Sequence, residues 1–264
     1  MTSSGETLDD WAGSLTVGLG WFYYDGPVGH TEFHRHYAVQ ICFPFSGPLQ
    51  IETLEKSQRV ENVLVIGSNV SHRLSGASPT AKLLYIEPNL ITRNTARLVV
   101  ATAVVLDLPA PRIAIIEKAL GIDPQLMESD FGRQVIDLIW PEESDGKLFS
   151  RFDPRITKAL AAIEEAEDLN LSLGEVVGSS GLSPSRFRHL FSAQVGMSLK
   201  SYLLWSKLQR AVQSLATNSS LTAAAHAAGF ADSAHLSRTF RRTFGLAPVD
   251  LSKRVRFTTP EGGS

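Results

Sequence analysis

Two stretches of this chain, GLSPSRFRHLFSAQVG (Gly181–Gly196) and GFADSAHLSRTFRRTFG (Gly229–Gly245), carry one pattern about fifty residues apart. Each opens on a glycine and an apolar residue. Each then crosses a short polar break and runs through a basic, helix-like segment to a closing glycine. Ser172 and Ser220 are 48 positions apart, as are Gly181 and Gly229; Phe187 and Leu236, Leu190 and Thr239, Phe191 and Phe240, and Gly196 and Gly245 are 49 apart. One extra residue therefore sits in the second turn. The repeated unit is a helix, a tight turn opened by glycine, and a second helix stopped by glycine, which is a helix-turn-helix pattern.

The faces of the second helices say more. Phe187, Leu190 and Phe191 stand at i, i+3 and i+4 and face a core; in the second copy Leu236, Thr239 and Phe240 do so. The opposite faces hold Ser185, Arg186, Arg188, His189 and Ser192, and then Ser233, Ala234, Ser237, Arg238, Arg241 and Arg242. Both are small and polar near the helix start and carry arginine in the next turn. A reader of the DNA major groove needs little bulk where the backbone approaches and long donors beyond it. A single hairpin of this kind reads more readily as a solvated basic surface, but two copies in register, both basic on the outer face, reverse that in favour of DNA. Lys200–Ala216, 17 residues, reads as the helix joining the units. At ~1.5 Å per residue it spans about 25 Å, enough to hold two reading helices about one DNA turn (~34 Å) apart on successive major grooves.

Charge agrees. Residues 1–152 hold 12 Lys/Arg against 18 Asp/Glu, a net of −6, whereas residues 153–264 hold 13 against 9, a net of +4. Between Pro184 and Arg256 there are 11 basic and 2 acidic residues. A basic end on an acidic chain fits a polyanionic partner, here double-stranded DNA.

From Asp153 to Arg256 the sequence DPRITKALAAIEE…LSLGEVVGSSGLSPSRFRHLFSAQVGMSLKSYLLWSKLQRAVQSLA…SLTAAAHAAGFADSAHLSRTFRRTFGLAP resembles the DNA-binding domain of the AraC/XylS family of bacterial transcription regulators. AAGFADSAHLSRTFRRTFGLAP is the most distinctive stretch. The resemblance implies that Ser185, Arg188 and His189 reach bases or phosphates from the first unit and Ala234, Ser237 and Arg238 from the second. Arg186, Arg241 and Arg242 then fall to phosphates. It also implies a homodimer and a contact with RNA polymerase. One departure stands after the last proline of the motif: PVDLSKR puts Leu251 where the family often has an aromatic residue and an arginine, and a local packing change is expected. Trp205, Leu204 and Leu208 are expected in the core of the joining helix, and His226 in a structural place.

The first ninety residues read differently. SLTVGLGWFYY, YAVQICFPF, PLQIETL, NVLVIG and AKLLYIEP are β-branched or aromatic runs punctuated by Gly, Pro, Asn or Ser, as in an all-β sandwich or barrel. LITRNTARLVVATAVVL, RIAIIEKALG and FGRQVIDLIW have helical periodicity. Within them Ile113, Ile116, Leu120, Ile136, Ile139 and Trp140 form either a dimer seam or a face packed on the chain's own barrel. Pro141–Pro154 is polar and turn-rich and reads as a linker. The expected organisation is α+β in two domains: residues 1–88 a sensor barrel, 89–140 a helical dimerisation segment, 141–152 a linker, and 153–257 an all-α double helix-turn-helix domain.

His34 and His36 are two apart and share one side of a strand, Gln40 keeps that parity, and His72 follows a later turn. Three histidines and an amide oxygen on one wall suit a divalent ion such as zinc, nickel or iron. The spacing resembles the cupin motif, with Gln40 where a carboxylate is usual, and AraC-type regulators often carry a cupin-like barrel that binds a small effector. The residues leave three roles open: metal ligands, effector ligands, or hydrogen-bonded structure. Trp21, Phe22, Tyr24, Tyr37 and Phe43 line the effector pocket or fill the barrel, with about half facing in by alternation. An enzyme reading, a metal-dependent cupin oxygenase or isomerase on a DNA tether, would need the ion and an open coordination position. No carboxylate stands at the expected ligand place, and no obvious general base is read near the histidines. The expectation is a regulator rather than an enzyme.

Composition bounds the rest. The chain of 264 residues is 43% apolar and 20% charged, with mean hydropathy near zero. Its apolar runs are too short to span a bilayer, and MTSSGETLDD lacks a signal peptide's basic and apolar regions. Cys42 is the single cysteine, so no internal disulfide forms, and a cytoplasmic location is expected. Cys42 also lies mid-strand in an apolar run, a poor place for a thiol-transfer role.

Overall fold

Alternating apolar runs with glycine-bearing turns pair locally before anything else, and the amino-terminal half is built that way. The computed structural model describes residues 11–75, 80–91, 102–123, 126–128, 130–141, 152–178, 180–217, 219–252 and 254–260. β1 (Gly13–Gly18) and β2 (Trp21–Pro27) form a hairpin whose two-residue turn uses Gly20 at φ 73°, a left-handed value that glycine adopts without strain. β3 (Val39–Pro44), β4 (Leu49–Thr53), β5 (Ser57–Val60), β6 (Val63–Ile66), β7 (His72–Ser75), β8 (Thr80–Ile86) and β9 (Ala103–Leu106) follow. β10 (Val255–Thr258) closes the chain's last described segment.

The strands form a seven-stranded sheet in the order β10-β1-β2-β8-β3-β6-β9 and a three-stranded sheet in the order β5-β4-β7. All pairs are antiparallel except β1 with β10. The two sheets share one apolar core, in which Leu49, Ile51 and Leu74 pack with Cys42, Leu64 and Leu83. The expected cupin-like barrel takes the form of a two-sheet sandwich, the two sheets not being hydrogen-bonded into one closed ring among the described residues. Beyond the strands themselves, an isolated bridge joins His34 to His72.

Alternation sorts the aromatic residues. Phe22, Tyr24 and Tyr37 point into the shared core, while Trp21, Tyr23 and Phe43 point to the opposite face of the large sheet. That second face is covered by α1 (Ala110–Leu120) and α2 (Phe131–Ile139). Ile116, Leu120, Ile136 and Ile139 are buried there, with Ile113 and Trp140 half-buried. Of the two roles left open for this face, packing on the chain's own sheet is the one observed.

Ala103–Leu106 was expected in a helix and is strand β9, paired with β6 from Val63↔Leu106 to Ile66↔Ala103. Its run AVVL has the β-branched content that suits a pleated edge, and tertiary pairing overrides a helical period read from a longer window. The rest of that expected helix, residues 92–101, and linker residues 142–151 lie outside the described residues.

The carboxy-terminal half is helical and capped as its sequence dictates. α3 (Pro154–Glu165) starts behind Asp153, whose carboxylate accepts the Arg155 N–H. α4 (Leu173–Val177) has the full capping box of Ser172 and Glu175. Ser183, Ser198 and Ser220 cap α5 (Pro184–Val195), α6 (Leu199–Ala216) and α7 (Leu221–Ala227). Asp232 caps α8 (Ser233–Phe244), and the short α9 (Pro248–Ser252) leads into β10. Gly196 and Gly245 end α5 and α8 in left-handed conformations, φ 83° and 74°. Leu251 is buried against the rest of the core, so the departure from the family pattern is absorbed as packing.

The two halves are fused. One core cluster runs from Trp11 and Phe22 through Trp205 and Phe240 to Leu251. Trp205 of α6 packs on Phe22 and Tyr37 and donates its indole N–H to Glu87 Oε1 at 2.8 Å, a hydrogen bond buried between the halves. β10 adds the carboxy-terminal segment to the edge of β1.

Candidate DNA-reading helices and a buried histidine cluster

α4–α5 and α7–α8 are the two repeated units, joined by α6 of 18 residues, about 27 Å long at ~1.5 Å per residue. Phe187, Phe191, Leu236, Thr239 and Phe240 are buried, and Leu190 is half-buried. On α5 the outward set is exposed throughout: Ser185, Arg186, Arg188, His189 and Ser192. On α8, Ala234, Arg238, Arg241 and Arg242 are exposed, with Ser233 and Ser237 half-buried. The Ser237 hydroxyl donates back to the Ser233 carbonyl, and the Arg188 guanidinium to the Pro184 carbonyl, which orients both side chains along their helices. His226 is exposed on α7 rather than packed.

The three sequence-flagged histidines converge. His34 and His72 exchange backbone hydrogen bonds at 2.9 Å in both directions, which sets their rings 4.3 Å apart. The His36 ring lies 5.6 Å from His34 and 5.1 Å from His72. One ligand atom from each of the three lies within 4.8 Å of the others, and all three residues are buried. Only Gln40 of the four sits within a named strand long enough for parity to place it, β3; His34 and His36 lie in the chain ahead of it and His72 opens β7.

Each ring has its Nδ1 on a backbone carbonyl: His34 on Glu32 at 2.8 Å, His36 on Ala38 at 2.8 Å, His72 on Val70 at 2.9 Å. A carbonyl only accepts, so each Nδ1 donates and each neutral ring keeps its lone pair on Nε2. Burial holds all three rings neutral. It pushes His34 down to about 3, with the neighbouring His36 adding to the effect, and holds His36 and His72 below the ordinary histidine value. His36 Nε2 and His72 Nε2 meet Gln40 Oε1 at 3.0 and 3.1 Å, and the Gln40 amide nitrogen faces Cys42 Sγ at 3.4 Å.

A family model described as a helix-turn-helix domain matches residues 177–254. The transcriptional activator NphR of Rhodococcus sp. is 28% identical over 125 residues, 45% of this chain; the match spans only 37% of NphR's own length. The probable transcriptional regulator LumQ of Photobacterium leiognathi is 23% identical over 236 residues, covering 85% of this chain and 93% of LumQ. Structures of ToxT from Vibrio cholerae share the fold across both halves. The apo form of a ToxT variant superposes with a TM-score of 0.66 at 12% identity, over 90% of this chain and 99% of that one. The chain thus carries a helix-turn-helix domain in its carboxy-terminal half and is similar over most of its length to a transcriptional regulator.

Several residues around the regulator's histidine cluster gave no sign in the sequence. The Phe244 ring lies 6.2 Å from His36 at an interplanar angle of 30°, and Tyr85 stands edge-on to His36 at 5.2 Å. The Gly245 carbonyl accepts the Glu32 N–H at 2.8 Å. Phe244 and Gly245 were legible as the end of a basic helix, and Trp205 as core. That they meet the sensor depends on how two distant segments dock, which no local period encodes. No helix among the described residues is long and apolar enough to cross a membrane.

Proposed function

We propose that the regulator reads two successive major grooves with α5 and α8, and that its amino-terminal sandwich senses a divalent first-row metal ion at His34, His36, His72 and Gln40. Ser185, Arg188, His189, Ala234, Ser237 and Arg238 face base edges in this reading, and Ser192, Ser233, Arg186, Arg241 and Arg242 face the phosphate backbone. The observation that carries it is the matched pair of outward basic faces on two capped helices of equal length, 12 residues each. A homodimer on a repeated operator and a contact with RNA polymerase belong to the same reading. Ile115, exposed on α1 beside the buried Ile116, leaves apolar surface for a second copy.

The sensing half rests on donor chemistry. Three neutral imidazoles with Nδ1 held by carbonyls are in the protonation state and tautomer that metal ligation requires. Two of their lone pairs face the Gln40 carbonyl oxygen, an arrangement that a cation satisfies, or that the amide satisfies by turning over to donate. Zinc, nickel and iron(II) all suit imidazole nitrogen with one oxygen. Bound there, the ion supplies a structural clamp. The cluster contains three histidines and no carboxylate among the described residues, and no enzymatic step is assigned to it.

An organic effector is the second reading. A ToxT structure holds an unsaturated fatty acid within this fold. In the present chain the apolar cavity beside the histidines, lined by Trp11, Phe22, Tyr24, Tyr85, Phe240 and Phe244, has only about 40 Å³ free. That is far below the ~300 Å³ at which small-molecule pockets begin. The cleft between the halves at Trp21, Leu90, Tyr202 and Arg210, about 360 Å³, is the roomier place for such a ligand.

The deciding experiment measures metal content after dialysis of chelator-treated protein against zinc, nickel or iron(II), for wild type and His72→Ala. Binding to duplexes that the protein selects from a random pool is measured alongside. About one ion per wild-type chain and none in His72→Ala supports the metal reading. No ion in wild type moves the sensor to the organic ligand, and no sequence preference in the selected pool removes the reading-helix assignment.

A further inference from the structure

The carboxy-terminal ends of α5 and α8 are built alike and sit in different surroundings. Both close on a left-handed glycine, and both glycine N–H groups donate to the carbonyl four residues back, Gly196 to Ser192 at 3.0 Å and Gly245 to Arg241 at 2.8 Å. A Cβ added at Gly196 would meet nothing within 4 Å. A Cβ added at Gly245 would lie 2.5 Å from the Glu32 oxygen, 2.6 Å from His34 Nδ1 and 2.9 Å from Thr31 Cβ. The second reading helix therefore ends against the histidine cluster with no slack, while the first ends in open space.

We propose that the Phe244–Gly245 end of α8 reports the state of the histidine site: loading it with a divalent cation shifts the second reading helix, and DNA binding in turn shifts metal affinity. This rests on the metal reading above and adds to it a route. The His34 ring donates from Nδ1 to the Glu32 carbonyl at 2.8 Å, and the Glu32 N–H donates to the Gly245 carbonyl at 2.8 Å. Two hydrogen bonds thus connect the ring to the helix end. Beside them the Phe244 ring lies over His36 and also touches Tyr85, Phe22 and Trp205. Histidine ligand atoms now spread over as much as 4.8 Å must approach to about 3.4 Å to share a tetrahedral zinc with bonds of about 2.05 Å. His34 and His36 cannot draw inward without moving what is seated on them. Arg241 and Arg242 lie within one turn of Phe244, and Arg238 within two, so the helix carries the displacement to its exposed face as a rigid body.

Hydrogen exchange on the full-length protein, chelator-treated and then loaded with zinc chloride, tests this directly. Amides in the last turn of α8 and at Glu32 change rate at least fivefold on loading, and those in the last turn of α5 stay within twofold. Gly245→Ala weakens zinc binding at least fivefold, whereas Gly196→Ala, which has the same left-handed strain and no neighbour, leaves it within twofold. Phe244→Leu stands in if Gly245→Ala does not fold, with the same loss expected. On a duplex selected by the protein, zinc changes DNA affinity at least fivefold, and DNA changes zinc affinity by the same factor, as linkage requires. Stoichiometric zinc binding with unchanged exchange in α8 overturns the coupling and leaves the metal site standing. Equal effects of the two glycine variants also overturn it, since cap strain would then explain both. Failure to bind zinc, nickel or iron(II) overturns both readings together.

Discussion

Arg238 stands exposed in the middle of α8, one turn beyond Ala234 and two before the buried end of the helix. In the proposed reading, small residues ahead of it let the helix approach the groove, and its five donors then serve a base edge. Arg238→Ala should weaken binding to a selected duplex by about 1–3 kcal/mol while leaving random-duplex binding nearly unchanged. Paired titrations on the two duplexes check this, and equal losses would make Arg238 a phosphate contact. Cys42 makes the opposite prediction. Its thiol is fully buried and pushed up to about 12 by burial, with the Gln40 amide only partly offsetting this. Native protein at pH 8 should resist iodoacetamide for hours and react within minutes once denatured, as mass spectrometry would show; fast native labelling would mean the sandwich opens. At this scale the sequence was readable where a period of two or an i, i+3, i+4 spacing sets direction, as with Phe22, Tyr24 and Phe187, whereas His34 and His36 converge from outside the strands and not by strand parity. It was silent on Phe244, whose meaning lies in a contact with His36 made across the whole length of the chain.

Helix caps are the elements in which the sequence spoke most plainly. Ser172, Ser183, Ser220 and Asp153 each cap a helix from the position just ahead of it, as these residue types commonly do. Asp232 caps α8 with its carboxylate on the His235 N–H at 2.6 Å. It also places negative charge at the positive end of the helix dipole. Asp232→Ala should cost about 1 kcal/mol of stability, and Asp232→Asn much less, because Asn caps nearly as well. Urea midpoints of the three proteins would check it, and a neutral Asp232→Ala would mean that docking against the sensor alone holds α8. Strands were harder to read. β5 (SQRV) and β7 (HRLS) are four residues long with three polar residues each, too short for alternation to stand out, and β9 reads as helix in sequence because its partner β6 lies some forty residues earlier. Pairing energy comes from the neighbour, so a short strand's own composition need not announce it.

Across the whole molecule the acidic sensor and the basic reading domain divide the charge, and that division sets how the regulator meets DNA. Five exposed arginines, Arg186, Arg188, Arg238, Arg241 and Arg242, are gathered on α5 and α8, a local concentration of positive charge suited to drawing a polyanion toward those faces. If Arg186, Arg241 and Arg242 each neutralise a phosphate, those three alone contribute about −2.7 to the slope of log affinity against log salt, taking ~0.9 per phosphate. Arg242→Ala should then reduce the slope by about 0.9 and weaken selected and random duplexes alike, the reverse of the pattern expected for Arg238→Ala. Titrations between 50 and 300 mM salt, about the range over which such slopes are read, separate the two. A slope that Arg242→Ala leaves unchanged would take this residue off the backbone, and a flat response in the wild type would mean that charge does not drive binding. Because α8 is also the helix that ends on the histidine cluster, the same titration run with and without zinc asks whether the sensor alters how many phosphates the second unit engages or only how well it fits the bases. A change in slope would mean that the whole unit lifts from the backbone; a change in affinity at constant slope would mean that α8 turns within the groove.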